Sequence, residues 1–157
     1  MNSAIKKGFS FGLTSGIITT LGMIVGLQSG THSRTIVIGG IMIIAIADAM
    51  SDSLGMHISE EAEHYHAAKE IWQATFATFI FKFLTALTFV APILAFDFSL
   101  AVVVCVVWGL ALLALFSYVM AKKQEISPWK VVGEHLLIAA VVIVATHYLG
   151  DWIRSWR

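Results

Sequence analysis

The chain has 157 residues, of which 58% are hydrophobic and only 13% charged, with a mean hydropathy of +0.83. A soluble domain carries about 25% charged residues, so a water-soluble globule is excluded. Zero net charge argues against a nucleic-acid surface, and the single cysteine, Cys105, excludes a disulfide framework within the chain.

The apolar residues fall in five long blocks. At about 1.5 Å per residue, each block can cross a hydrocarbon core of ~30 Å. They predict an all-α integral membrane protein: a single five-helix transmembrane domain over 1–157. The first span is expected over 8–27. It follows Lys6 and Lys7, as a signal peptide would, but its length, its Gly and Thr content and the spans that follow predict a retained helix. Within it, Gly12 with Gly16 and Gly22 with Gly26 form two GxxxG pairs, which let another helix backbone approach closely. Ser10, Thr14, Ser15, Thr19 and Thr20 add hydroxyls that can bond their own helix.

The second span is expected over 35–59 and carries two aspartates where a bilayer helix should carry no charge. Asp48 and Asp52 are four residues apart and share a helix face. A carboxylate near mid-membrane costs at least ~2.5–3.5 kcal/mol on insertion scales, so such residues face a polar interior, a partner or an ion. Met56, Ser59, Glu63 and His66 continue the stripe.

Beyond it, the connection over 60–70 gathers Glu60, Glu61, Glu63, His64, His66 and Glu70. Oxygen and imidazole ligands suit divalent first-row metals, and a thioether such as that of Met56 favours a transition metal. The candidate metal ligands are therefore Asp48, Asp52, Met56, Glu60, Glu63, His64 and His66.

The third span is expected over 74–95, with Lys82 either pairing with an aspartate or snorkelling. The fourth is expected over 100–121, with Cys105 as a small buried hydrophobe. The fifth is expected over 131–149, with Glu134 and His135 near its start and His147 near its far end. Trp72, Trp129, Trp152 and Trp156 fall at span ends as an aromatic belt.

Lys6, Lys7, Lys69, Lys122, Lys123 and Lys130 share one side, against Arg34, Arg154 and Arg157 on the other. The positive-inside rule then predicts a cytoplasmic N-terminus. An odd number of helices admits no inverted repeat of equal halves. Two copies about a two-fold axis would enclose a path most simply, so a homodimer is expected.

The segments SFGLTSGIITTLGMIVGL (10–27), AIADAMSDSLGMHISEEAE (45–63) and ATHYLG (145–150) resemble motifs of the vacuolar iron transporter family. That resemblance implies five spans, a cytoplasmic N-terminus and proton-coupled export of iron(II) or manganese(II) from the cytosol. The family's first-helix aspartate falls at Ser15, its second-helix metal-binding methionine at Asp52, and the acidic residue after its glycine at Met56. Its large cytoplasmic metal-binding insert would lie between spans two and three, where this chain has only 60–70.

The expected function is thus divalent metal transport with proton exchange. Asp48 and Asp52 would bind the ion, Met56 would assist, and Glu60, Glu63, His64 and His66 would gather metal at the cytoplasmic mouth. The bilayer, protons and a second copy are the expected partners, with no resident cofactor. The rival is a non-transporting oligomeric scaffold whose aspartates only hydrogen-bond. No HExxH pattern or nucleophile supports an embedded metalloenzyme, so no enzymatic activity is expected.

Overall fold

The first two helices start where an orphaned backbone N–H finds a side-chain partner. Asn2 caps the first helix by accepting from the Ala4 N–H at 3.2 Å, and Ser33 caps the second by accepting from Ile36 at 3.4 Å. Between them the chain reverses in two residues. His32 closes the first helix in the left-handed region at φ 53°, and its N–H bonds the Gln28 carbonyl. Pro128 opens the last helix at a position where no N–H is required.

The computed structural model describes residues 2–63 and 67–156. Its elements are α1 (Ser3–Thr31), α2 (Arg34–Ala62), α3 (Ala68–Thr88), α4 (Val90–Ala95), α5 (Phe98–Lys123) and α6 (Pro128–Arg154). α3 and α4 make one span broken at Phe89, because the ring of Pro92 clashes with the helical carbonyl four residues back and offers no N–H. Phe89 bonds Ala86 instead, at 3.2 Å. Among the described residues, five helices are therefore long and apolar enough to cross a membrane.

The helices outrun the expected spans. The connection expected over 28–34 shrinks to His32 and Ser33, and Glu60 and Glu61 stay helical at the end of α2. Hydropathy marks only the apolar stretch, whereas hydrogen bonding carries a helix on through polar residues.

α1 is the central helix, and its glycines decide what it touches. A Cβ at Gly8, Gly12 or Gly16 would meet α3 backbone at Ala74, Thr78 or Lys82. One at Gly22, Gly26 or Gly30 would meet α6 at Val142, Thr146 or Gly150. α1 thus leans on α3 through its N-terminal half and on α6 through its C-terminal half, as small-residue faces permit.

Ile17, Leu21 and Ile24 of α1 form the core with Val37, Ile41, Phe89 and Leu113. The outside is equally apolar: Ile43, Val107, Leu115, Leu137 and Tyr148 are each more than half exposed. Helices apolar all round suit a lipid surround.

Lys7 and Glu60 meet at one end of the bundle, as do Asn2 and Gln73. At the other end Ser29 donates to Asp151 at 2.6 Å and Arg34 to the Phe96 carbonyl at 2.7 Å.

Candidate functional site

The close contact of α1 with α3 at Gly12 and Gly16 brings the Lys82 backbone beside Ser15. On the adjoining helix, Ala45, Ala49 and Ser53 are buried, which seats α2 against the bundle and turns Asp48 and Asp52 inward along the edge of that face. The side chains converge. Lys82 Nζ donates to Ser15 Oγ at 2.9 Å and to Asp52 Oδ2, and Ser15 Oγ donates to the same Asp52 oxygen at 2.6 Å. Asp48 Oδ2 lies 2.6 Å from Nζ, in ion contact but without the alignment of a hydrogen bond.

Three helices therefore meet on one ammonium near mid-span. Lys82 is 2% exposed, so its charge is wholly committed to this cluster, whereas the Asp48 and Asp52 side chains keep 31% and 22% exposure. Two carboxylates against one ammonium leave a formal charge of −1. An uncompensated charge in an apolar span is costly. The cluster thus has room for one more positive charge, and its open side belongs to the carboxylates.

A second ionic group lies toward the lysine-bearing end. Glu60, 2% exposed, meets Lys7 Nζ at 2.5 Å, and Glu63 approaches the same ammonium at 3.5 Å. A small crevice of about 170 Å³ adjoins them, lined by Ser3, Ala4, Lys7, Glu60 and Glu70. Glu60 follows Asp52 by eight residues on α2, about 12 Å along the axis.

Met56, between the two groups, is half-buried. His57 does what Met56 does not: its Nδ1 lies 3.0 Å from Thr75 Oγ1 and its ring packs on Trp72. His64 and His66 lie outside the described residues. Of the seven candidate ligands, four thus gather as an aspartate pair around Lys82 and a glutamate pair around Lys7, and Met56 belongs to neither. Among the described residues no group of three or more His, Cys, Asp or Glu is gathered to hold a metal.

Two partners escaped the reading of the sequence, Ser15 as a donor to Asp52 and Lys7 as the counter-charge of Glu60. The signal was present in the spacing. α1 and α2 are antiparallel neighbours, so the residue eight before Ser15 must face the residue eight after Asp52, and those are Lys7 and Glu60. No protein-family model and no curated protein matches the chain.

Proposed function

We propose that the chain is a multi-pass membrane protein that moves a divalent cation, iron(II) or manganese(II), in exchange for protons, and that it works as a two-fold homodimer. The observation that carries this is the cluster of Asp48, Asp52 and Lys82, with its surplus carboxylate and open carboxylate side. A purely structural clasp would be balanced in charge and sealed.

The charge balance suggests how exchange works. With one carboxylate protonated and Lys82 charged, the empty site is neutral. A divalent ion on two ionised carboxylates is also neutral once Lys82 has given up its proton. Loading one ion therefore releases two protons and leaves no net charge in the span, where charge is costly. Lys82 acts as a tethered cation that the cargo displaces, and Ser15 offers a further oxygen. Oxygen donors of this kind suit manganese(II) and iron(II). Glu60 and Glu63, held by Lys7, would then form the mouth.

Uptake of manganese(II) into proteoliposomes, read beside an internal pH indicator, is expected for the unaltered protein and lost in Asp52→Asn. Unchanged uptake in that variant would sink the role of the aspartates. One observation favours the scaffold reading, namely that Lys82 already contacts both carboxylates. Metal binding to the purified protein distinguishes the two. A scaffold binds no more metal than its Asp48→Asn/Asp52→Asn variant, and a transporter binds more.

A further inference from the structure

We infer that the outward-open groove between α1 and α5 binds an anionic phospholipid, its acyl chain along the groove and its phosphate between Lys6 and Lys123. The groove encloses about 670 Å³, walled by apolar side chains such as Leu13, Leu112, Leu115 and Val119, with Lys6 and Lys123 lining it as well. A smaller cleft of about 360 Å³ toward α6 shares Phe116 and Met120 with it.

Gly8, Gly12 and Gly16 seat the N-terminal half of α1 on α3, and between that half and α5, beside the Phe9–Phe116 contact, a gap remains. The gap opens outward, since Leu115 is 63% and Val119 42% exposed. In a bilayer an apolar gap of this kind is filled by hydrocarbon.

The lysines select which lipid fills it. Both are exposed and neither makes an ion pair among the described residues, unlike Lys7 and Lys82. Two unpaired ammonium groups at the end of an interhelical groove are the arrangement that recruits anionic headgroups. A second copy of the chain fits poorly, because a two-fold axis along the groove would confront both pairs of lysines.

This inference rests on the membrane-spanning reading and is independent of the cation site. Resistance of the protein to carbonate extraction tests that reading separately. The direct test is native mass spectrometry of the detergent-purified protein offered dioleoyl-phosphatidylglycerol and dioleoyl-phosphatidylcholine. About five-fold preference per lysine is expected at a membrane surface, or about thirty-fold for the pair.

Lys6→Gln/Lys123→Gln should bring the two lipids to parity, while Lys69→Gln/Lys130→Gln should retain the preference. Val119→Trp, which fills the groove, should reduce retention of both lipids. Equal retention by the unaltered protein, or an undiminished preference in Lys6→Gln/Lys123→Gln, overturns the inference. So does full displacement of phosphatidylglycerol by millimolar inorganic phosphate, or a dimer that Val119→Trp abolishes.

Discussion

An ammonium shared by two carboxylates responds unequally to the loss of its members. Removing Lys82 leaves Asp48 and Asp52 facing one another without a counter-charge, and breaking a buried ion pair from one side typically costs ~3–5 kcal/mol. Replacing the whole set by apolar residues removes the desolvation cost along with the attraction and is often nearly neutral. Lys82→Met should therefore lower the melting temperature of the purified protein strongly. Asp48→Leu/Asp52→Leu/Lys82→Met should restore most of it while transporting nothing. A triple variant as unstable as the single one would show that packing of the Lys82 chain, rather than charge, holds the three helices together. At this scale the sequence was informative about charge and offered Lys82 as a partner for an aspartate, but it was silent about Ser15. Two aspartates and a lysine within apolar spans announce an ionic cluster, but Ser15 is one hydroxyl among eight on α1. Only the register of α1 against α2 and α3 singles it out.

Between whole helices, the decisive contact is α1 on α3, since it sets the position of Lys82. A Cβ at Gly12 would stand 2.6 Å from the Thr78 carbonyl oxygen and 3.1 Å from the Lys82 nitrogen. Both are backbone atoms with no rotamer to yield, so the helices must separate. Overpacking of this kind costs roughly 1–3 kcal/mol. Gly39 on α2 is the matched control, because a Cβ there meets nothing within 4 Å. Gly12→Ala should lower the melting temperature and weaken transport, and Gly39→Ala should be neutral or slightly stabilising. Equal effects would mean that helix propensity, not close approach, governs the α1 glycines. The GxxxG spacing made the close contact legible in advance. What it left open was the partner, since the same spacing serves α3 at one end of α1 and α6 at the other. Span existence was likewise readable from hydropathy, but the ends were not. α2 runs on to Ala62 and α3 begins at Ala68, because polar side chains at a helix end cost nothing once they reach water.

Taken as a single copy, the molecule leaves the open side of its charge cluster uncovered. Beside Asp48 and Asp52, the exposed face of α2 carries Ala47, Ser51, Gly55 and Ser59 at successive four-residue steps. A Cβ at Gly55 would meet nothing within 4 Å. Inside a bundle such a stripe would be spent on close helix contact, as the α1 glycines are. Here it faces outward, flanked by large apolar side chains such as Met50, Leu54 and Ile58. Small-residue stripes let helices associate in lipid, where no hydrophobic force drives them together. The proposed two-fold homodimer would pair this stripe with itself, since a two-fold interface is self-complementary. That pairing would set the carboxylates of both copies around one shared, shielded path. Gly55→Cys should then form a disulfide-linked dimer in oxidised membranes, with Ser51→Cys behaving alike. Leu137→Cys, on the widely exposed face of α6, should stay monomeric. The native Cys105 is buried and should not interfere. If the cluster takes its cover from the proposed partner, Gly55→Leu should abolish both cross-linking through Ser51→Cys and transport. A Gly55→Leu protein that transports at the normal rate would place the working site within a single copy and leave the stripe to lipid.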